Sequence, residues 1–147
     1  RVLDLCCGDG FYDYYFYSTI ASQIAAVDRD PTAIAHAQKW HALPNVEYVE
    51  LDIVTNFPAG YFDLVIWDMA MEHFSEDQIR TILQQPNFNK MCGSTILTNI
   101  KGRHPEHQRE FTTATELEDL LKDYFTDVKV KETSYPERDT VYFKASR

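Results

Sequence analysis

The run Val2-Leu3-Asp4-Leu5-Cys6-Cys7-Gly8-Asp9-Gly10 is an apolar strand that passes directly into a glycine-rich turn. Open α/β folds build a ligand-binding edge from that junction. Lacking a Cβ, Gly8 and Gly10 can take positive φ and let a ligand lie against the backbone where the next helix starts. Asp9 inside the same loop sets a carboxylate where a pyrophosphate would need bare amides. The ligand expected at that spot is neutral or cationic, and not a dinucleotide.

A chain of 147 residues is long enough for one domain with a sizeable core and short for two. Against 14 Lys+Arg stand 23 Asp+Glu, a net charge of −9. That balance disfavours sequence-independent attraction to nucleic acid or to an anionic membrane. Three Cys, two of them adjacent, form no disulfide framework, and no Cys-x-x-Cys or His-x-x-x-His spacing points to a metal. No metal is expected, and the expected location is a reducing cytoplasm. Neither a signal peptide nor an apolar run near 20 residues is read in the chain. Because it opens directly on a strand, residues preceding Arg1 are expected in a longer chain.

Apolar runs alternate with helical patterns, which implies a mostly parallel sheet covered by helices. Strands are expected at Val2 to Cys6, Gln23 to Asp28, Val46 to Leu51, Phe62 to Trp67, Ser94 to Ile100, Val128 to Lys131 and Thr140 to Ala145. The last two, joined by a short connection, should be antiparallel. A first helix is expected near Phe11 to Ser18. A second, capped by Asp30-Pro31, should run to about His41. Ser75-Glu76-Asp77-Gln78 and Thr113-Ala114-Thr115-Glu116 read as capping boxes, the first opening a helix with Ile79, Ile82 and Leu83 on one face.

Asp28 at the tip of strand two, Asp52 after strand three and Asp68 at the end of strand four complete a series with the glycine loop. Together these residues resemble a class I S-adenosylmethionine-dependent methyltransferase across essentially the whole chain. The resemblance implies an α/β, Rossmann-like doubly wound seven-stranded sheet in the order 3-2-1-4-5-7-6, with only strand 7 antiparallel. It implies one S-adenosylmethionine-binding domain over residues 1–147 that lacks the N-terminal helices of a longer chain. The segment Ile66-Trp67-Asp68-Met69-Ala70-Met71-Glu72-His73-Phe74 is similar to the post-strand-four segment of small-molecule methyltransferases. It lacks the Asn/Asp-Pro-Pro-Tyr signature of enzymes that methylate DNA bases or amide nitrogens.

Carried over residue by residue, the resemblance sets Asp4 near the amino group of the cofactor and the backbone of Cys6, Cys7, Gly8 and Gly10 along its methionyl part. Asp28 lies 20 residues beyond Gly8, where a carboxylate can accept both ribose hydroxyl protons, with Arg29 beside it. Asp52 would meet the adenine amino group and Ile53 the ring. Asp68 and Met69 would face the methionyl part or the acceptor entrance, and Tyr12, just past the loop, could cover either. Cys6 stands where the family usually has its first glycine. If that position needs positive φ, cysteine costs about 1 kcal/mol.

The implied reaction is an in-line methyl transfer from S-adenosylmethionine to an oxygen, nitrogen or carbon of a small-molecule acceptor, leaving S-adenosylhomocysteine. Positioning can supply much of the rate without acid or base. For a hydroxyl acceptor His73 is the candidate base and His104 the second, while the plainer role for His73 is to cap or pack the following helix. Cys6 and Cys7 read as small buried hydrophobes. Lys101, Arg103, His104, His107 and Arg109 form either a solvated loop or a site for an anionic acceptor group. Two rivals stand beside this reading. A nicotinamide-dependent oxidoreductase would want a third glycine where Asp13 stands. A non-catalytic domain with the same fold is the other, and Cys6 speaks for it.

Overall fold

The computed structural model describes residues 1–98, 105–134 and 139–147. Its elements in chain order are β1 (Val2–Leu5), α1 (Phe11–Tyr15), β2 (Ile24–Asp28), α2 (Pro31–Trp40), β3 (Val46–Glu50) and β4 (Leu64–Asp68). There follow α3 (Glu76–Leu83), β5 (Lys90–Leu97), α4 (Ala114–Lys122), β6 (Asp127–Ser134) and β7 (Asp139–Ser146). The seven strands lie in the order β3-β2-β1-β4-β5-β7-β6, as expected. β2 pairs in parallel with β1 and β3, and β7 is antiparallel to β5 and β6. The chain divides into two compact units, Arg1–Ile66 and Trp67–Arg147.

In the first unit Leu3, Leu5 and Ala26 are wholly buried, the pattern of parallel strands covered on both faces. The Asp30 side chain accepts from the Thr32 amide at 2.8 Å and Pro31 occupies the first turn of α2, where its missing N–H has no partner to lose. The inward face of that helix, Ile34 and Ala37, packs with Ile24, Ala26 and Tyr48. Burial of each large apolar side chain contributes about 1.5–3 kcal/mol. The first helix is shorter than its sequence suggests. It ends at Tyr15, and Tyr17–Thr19 forms a separate 3-10 turn. The hydroxyls of Ser18 and Thr19 donate to the carbonyls of Tyr14 and Phe16 there, competing with regular helix bonding.

The second unit opens α3 with both halves of the capping box. Gln78 N donates to Ser75 Oγ at 3.3 Å, and Ser75 N donates to Gln78 Oε1 at 2.9 Å. Only half of the second box forms. Thr113 accepts from the Glu116 amide, whereas the Glu116 carboxylate takes the Thr112 amide and hydroxyl and pairs with Arg109. The fifth strand begins at Lys90, four residues before Ser94, because its whole length from Lys90 to Leu97 is paired to β7. Gly93, a strand breaker on sequence grounds, is required inside it: a Cβ there would stand 1.8 Å from the Trp67 carbonyl oxygen. Arg147 donates to the carbonyls of Phe88 and Leu83 and lies over the rings of Phe88 and Phe125. The expected end of strand five, Ile100, lies outside the described residues.

Candidate functional site

β1 stops one residue earlier than expected because Cys6 takes φ 61°, the left-handed region that L side chains disfavour. Gly8 and Gly10 follow at φ 57° and 75°. Three positive-φ residues in five turn the backbone sharply. The Cys7 amide donates to the Val27 carbonyl at 3.0 Å and the Gly10 amide to the Cys7 carbonyl at 3.1 Å. The two glycines serve different needs. A Cβ on Gly10 would lie 2.5 Å from the Tyr48 ring, whose hydroxyl donates to the carbonyls of Gly10 and His41. A Cβ on Gly8 would meet nothing within 4 Å, so at that point the backbone can be approached closely from outside.

Asp28 anchors the loop from the end of β2. Its Oδ2 accepts from the Gly8 amide and its Oδ1 from the Asp30 amide, both at 2.9 Å. Each oxygen keeps a second lone pair for a ligand hydroxyl. Arg29 beside it is exposed. Tyr12 is 55% exposed, its ring against Phe16 and Tyr17. Asp52 is exposed and accepts from the Val54 amide at 2.9 Å, while Ile53 next to it is buried. A cavity of about 300 Å³ in this unit, lined by Gln23, Ile24, Asn45 and Val46 among others, lies at the amino ends of β2 and β3. Open α/β sheets bind ligands at the opposite, carboxyl ends, where the glycine loop and Asp28 are.

Below the loop lies a feature that the sequence did not disclose. Asp4 is 5% exposed and Asp13, on α1, is completely buried. Among the described residues no N–H or O–H reaches either Asp13 oxygen. Burial pushes its carboxyl up to about 7. The Cys7 thiol is also pushed well above its ordinary value, first by burial and then by the charges of Asp4, Asp13 and Asp28. Its place as an inert small hydrophobe follows.

In the second unit β4 ends on Asp68, which accepts from Ser94 Oγ at 2.5 Å. Met69 then takes φ 50° and donates its amide to the Ser94 carbonyl at 2.8 Å. Left-handed non-glycine residues cost of order 1–3 kcal/mol and gather at ligand sites. His73, half-buried, ends the 3-10 turn Met71–His73, its Nδ1 3.3 Å from the Glu106 carbonyl. Arg109 pairs with Glu76 and Glu116, donates to the Glu110 carbonyl and covers the Phe111 ring, so this residue of the basic loop is a structural clamp. Lys101, Arg103 and His104 lie outside the described residues.

The family described as methyltransferase domain matches residues 2–87. A probable S-adenosylmethionine-dependent methyltransferase of Mycobacterium tuberculosis is 32% identical over 139 residues, which cover 86% of this chain and 49% of that protein. The chain thus spans about half the length of the curated relatives it matches. Of solved structures, the complex of DhpI with SAH superposes with a TM-score of 0.78 at 22% identity, over 97% of this chain and 74% of that one. Apo SibL, an S-adenosylmethionine-dependent methyltransferase, superposes with a TM-score of 0.80 at 20% identity, over 100% of this chain and 50% of that one. At such identities these two likenesses bear on the fold alone.

Proposed function

The chain belongs to the methyltransferase-domain family, and from that premise we propose that it binds S-adenosylmethionine and transfers the methyl group to a small-molecule acceptor. The observation that carries the proposal is the loop from Cys6 to Gly10. Three positive-φ residues turn its backbone and leave Gly8 open to close approach, and the buried acids Asp4 and Asp13 lie close enough to the loop to raise the Cys7 thiol. A cationic amine suits such a place and a pyrophosphate does not. When bound, the cofactor supplies a methyl group already activated on a sulfonium.

The chain's residues then divide the work. Asp4 holds the cofactor's amino group, and the backbone of Cys6, Cys7, Gly8 and Gly10 holds the methionyl part. Asp28 takes the ribose hydroxyls, with Arg29 at the rim. Asp52 takes the adenine amino group and Ile53 supports the ring. Tyr12 covers the ligand, and Asp68 and Met69 belong to the methionyl or acceptor side. Their task is to orient and to exclude water, which lowers a transfer barrier by several kcal/mol without proton transfer. Where the acceptor is a hydroxyl, His73 is the candidate base.

A net charge of −9 argues against nucleic acid as the acceptor, and no described helix is long and apolar enough to cross a membrane. We place the reaction in the cytoplasm, on the absence of a disulfide framework. We further read residues 1–147 as one functional domain of a longer chain. Calorimetric titration with S-adenosylhomocysteine, with NADH as control, tests the cofactor. Micromolar binding of the former alone, weakened at least tenfold by Asp28→Ala, is the expected result. Binding of neither would favour the non-catalytic reading that the strained Cys6 suggests.

A further inference from the structure

The segment after β4 and the segment that precedes α4 bring together three side chains that the methyl-transfer reading does not explain as a set. Glu72, His73 and His107 each offer one ligand atom, and these atoms all lie within 4.8 Å of one another. Glu72 is 1% exposed. Thr95 Oγ1 donates to its Oε2 at 2.8 Å, and the amides of Gln108 and Arg109 donate to its carbonyl, which ties the second segment to the first. His107 Nδ1 stands 2.5 Å from Glu110 Oε1, both side chains less than a tenth exposed. The two imidazole rings cross at 81°, with centroids 5.1 Å apart.

A carboxylate on Nδ1 fixes an imidazole's orientation and keeps the proton on Nδ1, which makes Nε2 the basic nitrogen. Proteins hold metal-ligating histidines in this way. The Glu106 carbonyl takes the corresponding position toward Nδ1 of His73 at 3.3 Å. Thr95, engaging one oxygen of Glu72, leaves the other to serve as a ligand. The three donors therefore come with orienting partners of their own, which a fortuitous group of surface side chains would lack.

We propose that Glu72, His73 and His107 bind a divalent transition-metal ion of the zinc, cobalt or manganese class, with Glu110 and Thr95 as positioning residues. Two imidazoles and one carboxylate are a donor set for such ions, whereas calcium and magnesium take oxygen ligands. Bonds of about 2.0–2.2 Å require the three side chains to close by roughly 1 Å on binding. Three protein ligands leave coordination positions for water or for an acceptor oxygen. The site stands on these side chains and not on the methyl-transfer reading. It gives His73 a ligand's role in place of a base's.

The test is titration of the metal-free chain with Co²⁺ alone, followed by its visible d–d absorption, and then displacement by Zn²⁺. One saturable equivalent is expected. His73→Gln, at a half-buried position with little folding risk, and His107→Gln should each weaken binding at least a hundredfold, and Glu110→Gln about tenfold. Circular dichroism verifies that each variant is folded. A second His/Asp group, Asp9, His36 and His41, of which Asp9 and His36 are exposed and His41 is not, lies in the other unit and provides the control. His36→Ala should leave the titration unchanged. A saturable band lost in His36→Ala and kept in His73→Gln would overturn the proposal, as would the absence of any saturable band. Failure of S-adenosylhomocysteine binding with the Co²⁺ site intact would count against the methyl-transfer reading alone.

Discussion

The two halves of this chain build their sites by different means. In Arg1–Ile66 the candidate cofactor residues come from strand ends and the turns that follow them, so their spacing along the chain is nearly their spacing in space. Asp28 reaches the Gly8 amide at 2.9 Å from 20 residues away because β1 and β2 are paired neighbours. In Trp67–Arg147 the cluster of Glu72, His73 and His107 joins histidines 34 positions apart in the chain (107 − 73), with α3 and β5 between them. The lesson is that a ligand site made of backbone and strand tips announces itself in sequence, and one made of side chains from remote segments does not.

The largest effect expected from a single change lies in the second half. Gly93→Ala drives a Cβ to 1.8 Å from the Trp67 carbonyl, and a backbone that cannot yield should lose about 3 kcal/mol or more, read as a collapse of the urea midpoint. Its counterpart in the first half, Gly10→Ala, meets the Tyr48 side chain at φ 75°. A loss of about 2 kcal/mol is expected, and Tyr48→Leu in the same chain should recover part of it. Recovery would identify the contact as side-chain crowding. No recovery would leave backbone strain as the whole cost.

Asp13 supplies a pH-dependent comparison. Its folded carboxyl is raised to about 7 from the ordinary value of 3.8, so the unfolded chain gives up that proton first. The associated stability is fully present below about pH 4 and is lost as pH rises through about 7, a loss of a few kcal/mol. Asp13→Asn should flatten that slope in thermal denaturation between pH 4 and 8 and make the chain more stable at the alkaline end. An unchanged profile would mean that water reaches the pair. The smallest effects concern the two strained strand ends. Cys6→Gly and Met69→Gly should each stabilise by about 1 kcal/mol, but only Cys6→Gly should also tighten S-adenosylhomocysteine binding.

The sheet order followed from the family resemblance and the positive φ at Cys6 was a condition that φ 61° now meets, whereas the caps at Asp30 and Ser75 were legible because each depends on a few adjacent residues. The start of β5 was not, since antiparallel pairing with β7 overrides the poor strand propensity of Gly93. Asp13 was hidden for another reason. Surrounded by Phe11, Tyr12, Tyr14 and Tyr15, it reads as one polar residue of a half-exposed helix, while α1 turns it inward and leaves Phe11, Tyr12 and Tyr15 toward solvent. Nothing in the local pattern says that the carboxylate, and not the aromatic rings, takes the buried side.

Gly8 and Gly10 are indistinguishable as letters in the loop, yet selection would act on them through separate properties. The protein itself opposes a side chain at Gly10, through the Tyr48 ring as well as the backbone angle, so a change there costs stability unless Tyr48 changes with it. At Gly8 the fold exacts only the cost of its backbone angle, and the remaining objection to a side chain comes from whatever approaches the loop. A descendant that gave up its ligand would be released at Gly8 long before it was released at Gly10, and the order in which the two positions drift would record the loss of binding separately from the loss of structure.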